Sequence, residues 1–181
     1  MLGVLVASWF ALSYRYAWAG FHPTDDGFIL AQAARLLHRE VPHTDFFSPR
    51  PVGSPLLHVV DLLLPGPLMP VSRFVTMAEL FAGVAGSVML ATGRGLKSLR
   101  PIDVAVIPAG AVISAQTFPL MAWHTVDGLL VGVASLLMLR SGIRRSSVSA
   151  VAIGGALAGF APLVKQSHAA VPIIALAWFI V

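Results

Sequence analysis

Residues 74–121 read FVTMAELFAGVAGSVMLATGRGLKSLRPIDVAVIPAGAVISAQTFPLM. Two apolar runs, 74–93 and 102–121, flank a short segment that carries Arg94, Lys97 and Arg100. Each run reaches the roughly 20 residues a helix needs to cross the hydrocarbon core of a bilayer. Span, basic loop, span is the pattern of a polytopic membrane protein, and it organises the rest of the chain. Glu79 alone carries charge within the first run. An ionised carboxylate at that depth costs about 2–3 kcal/mol, so Glu79 must face protein or a cavity. Asp103 sits at the basic end of the second run and reads as a helix cap.

Working outward, further apolar runs occupy 1–20, 122–139, 148–164 and 169–181. The first ends in Trp9, Phe10, Tyr14, Tyr16 and Trp18, aromatic residues suited to a membrane interface, with Arg15 able to snorkel outward. Ala17-Trp18-Ala19 has the small-x-small form of a cleavage site. A basic leading region is absent, which favours a retained helix. Gly128-x-x-x-Gly132 and Gly155-x-x-x-Gly159 predict close helix contacts. The last run, 169–181, has 13 residues, short of a span, which predicts that these 181 residues are the N-terminal part of a longer protein.

Composition agrees. Hydrophobic residues make up 57% of the chain and charged residues 11%, against about 25% in soluble domains. Mean hydropathy is +0.83. These values argue against a soluble enzyme, a disordered tail and a nucleic-acid-binding module. The pI of about 10.4 arises from few charges and does not describe a basic groove. The chain has no cysteine, which excludes disulfides and thiolate metal sites. The fold class expected is all-α, a polytopic transmembrane helix bundle forming one membrane module.

Positive charges in short loops mark the cytoplasmic side. Arg94, Lys97 and Arg100 form one such loop, and Arg140, Arg144 and Arg145 another. Both then lie inside. Residues 21–73, the turn around Trp123–Asp127 and the segment Lys165–His168 lie outside. The outer loop 21–73 differs from the spans. It holds Asp25, Asp26, Arg35, Arg39, Glu40, Asp45 and Arg50. Residues 26–40 read as an amphipathic helix, with Gln32, Arg35 and Arg39 on one stripe and Ile29, Ala33, Leu36 and Leu37 facing away. Thr24 or Asp25 is its natural N-cap. Prolines 51, 55, 65, 67 and 70 leave no run beyond nine residues in 51–70, which predicts an interfacial helix or a re-entrant piece lying against protein.

Several outer groups suit chemistry, and each has a plainer reading. Asp25 or Asp26 could remove a proton from a substrate hydroxyl, or cap a helix. Arg50, in Ser48-Pro49-Arg50-Pro51, could meet a phosphate or snorkel to the interface. Lys165 ends a span on the side where cations are disfavoured, so a lipid phosphate or an acidic loop residue could be its partner. His124 and Asp127 share a helical face and could bind substrate or metal, or simply cap the span. His58 and Asp61 have the same spacing and read as a structural pair. The six histidines form no HExxH-type motif, so no metal ligand is assigned and a divalent cofactor stays open. No Gly-rich nucleotide loop or Ser/His/Asp arrangement is present.

HPTDDGFILAQAARLLHREVPHTDFFSPRPVGSPLL, residues 22–57, resembles the first extracytoplasmic loop of GT-C-type membrane glycosyltransferases. These include protein O-mannosyltransferases and lipid A aminoarabinose transferases. That loop carries an acidic pair, a helix of the form YxxxARxLLxGxxPYxDFF and a basic-Pro-Pro element. ALAGFAPLVKQS, residues 156–167, is similar to the family's GLAxLxKQ at the outer end of a span. Val52 stands where the second proline usually does. The resemblance implies a transferase that moves a sugar from a polyprenyl-phosphate donor to an acceptor hydroxyl of a glycan, lipid or protein. It implies Asp25 as general base and Asp26 as the second acid. It implies Arg50 and Lys165 as partners of the lipid phosphate, with Gln166, His124 and Asp127 as further substrate-binding residues. The setting would be a plasma membrane, most simply a bacterial inner membrane, with the active face outward. A transporter or flippase using Glu79, Asp127 and Lys165, and a non-catalytic membrane subunit, are the competing classes.

Overall fold

The computed structural model describes residues 2–20, 25 and 27–180. Among these the chain is helical throughout, with no strand. The order is α1 (Leu2–Ala17), α2 (Phe28–Leu37), α3 (Gly53–Leu57), α4 (Val59–Leu63), α5 (Leu68–Thr92), α6 (Pro101–Thr117), α7 (His124–Arg145), α8 (Val148–Val164) and α9 (Ala170–Ile180). Single 3-10 turns at Leu96–Ser98 and Gln166–Ala169 join α5 to α6 and α8 to α9. By length and composition, α5 and α7 are each able to cross a membrane.

The termini follow from local chemistry. Pro101 starts α6, where its missing N–H costs nothing. Asp103 caps the same turn, accepting from the Arg100 backbone N–H at 2.9 Å and pairing with the Arg100 and Arg94 guanidinium groups. Gly93 ends α5 in the left-handed region at φ 73°, the conformation glycine adopts without steric cost. The orphan carbonyls there are met by arginines from another helix. Arg140 donates to the Met89 oxygen at 2.7 Å and also to Gly93, and Arg144 donates to Gly93 at 3.3 Å. The two arginine-rich segments therefore share one end of the structure, as their charge pattern implies. Arg140 and Arg144 thereby cap α5.

At the other end, Arg73 is buried and donates to the carbonyls of Ala17, Ala19 and Gly20, at 2.9, 3.2 and 2.8 Å. It ties the exit of α1 to the start of α5. The apolar core between them is built from Leu5, Met77, Leu80, Phe81, Ile107 and Val126, contributed by α1, α5, α6 and α7.

Helix boundaries differ from the hydropathy reading in three places. α5 begins at Leu68, ahead of 74, because Pro70 falls in its first turn, where no intrahelical N–H bond is lost. The runs 102–121 and 122–139 meet without a gap in the sequence, yet α6 stops at Thr117 and α7 starts at His124. Phe118 and Trp123 are extended, with Pro119 between them. Residues 26–40 shorten to α2, whose N-cap is Gly27 at φ 91°, with no side-chain cap from Asp25. Thr24 lies outside the described residues.

The polar stripe of α2 is also corrected. Gln32 is buried beside Ile29 and Ala33 because Ser48 offers it a polar neighbour at 3.4 Å, while Leu37 is exposed. Close packing of α7 on α8 uses different glycines from those expected. A Cβ on Gly142 would come within 2.6 Å of the Val151 side chain, and one on Gly154 within 2.8 Å of the Leu139 backbone nitrogen. Gly155 and Gly159 face open space. The contact stripe is Gly154, Ala158, Ala161, one residue removed from the GxxxG register. Gly128 and Gly132 do mark a close approach, to His168 and Val171.

Candidate functional site

The N-terminus of α7 gathers most of the polar side chains singled out in the sequence. Two adjoining groups form there, one at the rim and one buried below it.

The rim is built on Trp123, His124 and Thr125. The Ser48 hydroxyl donates to the Arg50 carbonyl at 2.6 Å, closing a tight turn that fixes where the Arg50 side chain departs. Arg50 Nη1 then lies 3.3 Å from His124 Nδ1, with its guanidinium 5.5 Å from the centre of the Trp123 ring. Lys165, extended at the end of α8, donates from Nζ to Thr125 Oγ1 at 2.6 Å. Two cations far apart in sequence thus reach consecutive residues of one helical turn. Among the described residues, neither has a carboxylate within ion-pair distance.

The tautomer of His124 follows from its partner. Arginine only donates, so Nδ1 accepts and the proton sits on Nε2. That Nε2 is buried and has no acceptor. His168 packs its ring against Gly128 one turn further along, also with an unpartnered buried Nε2. Burial and the neighbouring Lys165 charge hold His168 below its ordinary pKa, with Asp127 opposing. Gln166 is exposed beside Lys165.

Below the rim, Ser54, His58, Asp61 and Asp127 are fully buried, and Glu79 nearly so. They come from α3, the α3–α4 junction, α4, α7 and α5. Gly53 allows this approach, since a Cβ there would collide with the backbone of Leu163 and Val164 at the end of α8. Asp127 accepts from Ser54 on Oδ2 and lies 3.2 Å from His58 Nε2 on Oδ1. His58 Nδ1 meets Asp61 Oδ2 at 2.9 Å. Glu79 Oε2 is 3.9 Å from His58 Nε2 and has no hydrogen-bond partner. Burial acts to lower the pKa of His58. Its bonds to Asp127 and Asp61, with the charges of Asp127 and Glu79, outweigh burial and raise it to about 10.

The sequence-predicted residues therefore divide. Arg50, His124 and Lys165 meet. Asp127 belongs to the buried group, paired with Ser54 and His58. Asp25 occupies the turn before α2, its carbonyl accepting from the Phe28 N–H at 3.1 Å. α2 packs Ile29 and Leu30 against Ala122, next to Trp123, which brings that turn to the same end of the molecule. Asp26 lies outside the described residues. Trp123, Thr125 and Ser54 were not singled out in the sequence. The ligand-like groups they complete are assembled from segments that sequence spacing does not connect.

Glu79 also lines an apolar groove of about 390 Å³ between α5, α6 and α7. Its α5 wall is the stripe Glu79, Gly83, Ser87 and Ala91, and Val126 stands at the end nearest the rim. A larger recess of about 580 Å³, between Trp9, Val60 and Phe74, has no charged lining residue.

Comparison of the chain with known protein families, with characterised proteins and with solved structures returns no match.

Proposed function

We propose that the chain is the membrane-embedded part of a glycosyltransferase that takes sugars from a polyprenyl-phosphate carrier at the outer face of a plasma membrane. One observation carries this reading. Arg50 and Lys165, with no carboxylate partner among the described residues, converge on the first turn of α7 beside the unpartnered Nε2–H of His124. A helix N-terminus flanked by two cations and a spare donor is suited to a phosphate group. The apolar groove that starts at Glu79 offers a neighbouring course for an isoprenoid chain.

In this reading Asp25 takes the proton from an acceptor hydroxyl. The freed oxygen attacks the anomeric carbon from the side opposite the phosphate. The carbon–oxygen bond to phosphate breaks, its electron pair leaves with the phosphate, and configuration inverts. Arg50, Lys165 and His124 stabilise the charge that develops on the leaving group. The bilayer is traversed by α5 and α7 together with shorter apolar helices, with both arginine-capped loops inside.

The test uses the full chain in proteoliposomes with a radiolabelled short-chain polyprenyl-phosphate sugar. Arg50→Ala and Lys165→Ala should each weaken donor binding about tenfold, the loss of one charge-assisted contact. Asp25→Asn should retain binding and lose transfer. Unchanged donor binding in both cation variants would remove the reading. The transporter alternative has one observation of its own, the contact of Glu79 and Asp127 through His58, and it predicts lipid or ion flux without sugar transfer.

A further inference from the structure

The buried group beneath the rim has features that the transfer reaction leaves unused. Three carboxylates, Asp61, Glu79 and Asp127, surround a single imidazole in a site nearly closed to solvent. Such an accumulation of acidic groups is costly in a low-dielectric interior unless a cation or a proton joins it.

We propose that His58 Nε2, Glu79 Oε2 and Asp127 Oδ1 form a binding site for one divalent transition-metal ion such as Zn²⁺ or Mn²⁺. One ligand atom from each of these residues lies within 4.8 Å of the other two. Ligands about 2.0–2.2 Å from a common ion stand roughly 3–4 Å apart, so a small inward movement of Glu79 completes the set. His58 Nε2 and Asp127 Oδ1 already stand at 3.2 Å.

Two further observations point the same way. Asp61 holds the far nitrogen of His58, at 2.9 Å. With Nδ1–H donated to that carboxylate, Nε2 releases its proton on binding and turns its lone pair to the ion, the carboxylate–histidine–metal arrangement that orients metal-binding imidazoles. Ser54 likewise occupies the second oxygen of Asp127 and leaves Oδ1 for the ion. Second, Glu79 Oε2 is buried and without a partner, directed toward the imidazole from 3.9 Å away. An unpaired buried carboxylate oxygen is otherwise hard to account for.

One imidazole with two carboxylates favours zinc or manganese over the all-oxygen sets that suit calcium and magnesium. Three protein ligands leave a coordination position open, and Glu79 lines the apolar groove from which a ligand could reach it. Sequence spacing could not reveal the site, because its ligands come from the α3–α4 junction, α5 and α7.

The experiment takes the full chain purified in detergent, strips it with a chelator and reloads it with Zn²⁺ or Mn²⁺ alone. Bound metal is measured by elemental analysis, and thermal unfolding is followed with and without each ion. The expected result is one ion per chain and a rise in Tm on loading. Glu79→Gln, close in shape, should lower metal affinity by tenfold or more and abolish the rise in Tm. Asp61→Asn should weaken binding about tenfold without abolishing it. His38→Ala with His43→Ala, at exposed positions, should change nothing. The proposal is overturned if neither ion binds stoichiometrically or shifts Tm. It is equally overturned if Glu79→Gln binds as the parent does, or if binding follows His38 and His43. Sugar transfer need not be measured, so failure here is separable from failure of the proposed activity.

Discussion

Arginines and lysines stand at both ends of the helices, but they are used differently. At the end formed by residues 93–100 and 145–147, Arg140 and Arg144 cap the carbonyls of α5, and Arg94 and Arg100 pair with Asp103. These cations have protein partners with the geometry of structural contacts. At the opposite end Arg50 and Lys165 touch an imidazole, an indole face and a hydroxyl. Among the described residues, no carboxylate neutralises them. In the proposed function such cations await an anion from outside, whereas a cation on a helix C-terminus has already met its negative end. Residue type alone does not separate Arg50 and Lys165 from the capping arginines, which at this end include Arg73, and their partners do.

The contrast can be tested by removing groups in turn. The largest effect is expected from Asp127, on which the polar end rests. Asp127→Ala leaves His58 and Ser54 buried without their acceptor and should cost about 3–5 kcal/mol in unfolding free energy, measured by denaturation in detergent. A loss under about 1 kcal/mol would mean that the buried group is not a unit.

Next comes the helix contact that holds both ends in register. Gly154→Leu drives a side chain into Leu139 and should cost about 1–3 kcal/mol, while Gly155→Leu faces open space and should fall within about 0.5 kcal/mol. The ranking reverses if the GxxxG register is the packed one.

The comparison itself is sharpened by Arg140→Ala against Arg50→Ala. The first uncaps the end of α5 and should lower stability by about 1–2 kcal/mol without changing phosphate binding. The second should leave stability within about 0.5 kcal/mol while weakening phosphate binding. Equal destabilisation by both would erase the distinction between the two ends.

The smallest effect concerns acid. His168 is held below its ordinary pKa of 6.5 by burial and by Lys165, so the folded state resists its protonation. As pH falls below 6.5 the unfolded chain takes up the proton first, and stability declines. His168→Gln removes that contribution and should flatten this part of the pH–stability curve. An unaltered acid limb would show that His168 does not contribute to it.

Much of the fold is legible in the sequence because apolar runs and basic loops are local signals. The all-helical character, the shared end of the two arginine-rich segments and the short broken helices within 51–70 all follow from them. The details that escaped depend on tertiary neighbours. Pro70 looks like a helix breaker until the helix is seen to start just before it. Gln32 looks like a surface residue until Ser48 is placed beside it. Gly154 and Gly155 are indistinguishable until α7 settles on one of them. At the site, Arg50 and Lys165 could be named individually, while their meeting at His124 and Thr125 could not. His58 and Asp61 were legible as a pair from their spacing. Glu79 and Asp127 join them only through packing.

The most direct measurement is the affinity of the purified chain for a short-chain polyprenyl phosphate, read by Trp123 fluorescence with Trp9, Trp18 and Trp178 replaced by Phe. Arg50 lies over the Trp123 ring, so an anion at the rim should alter its emission. Saturable binding is predicted, weakened about a hundredfold when Arg50→Gln and Lys165→Gln are combined, one factor of ten for each lost charged contact. The same affinity in the parent and the double variant, or no binding in either, would contradict the account.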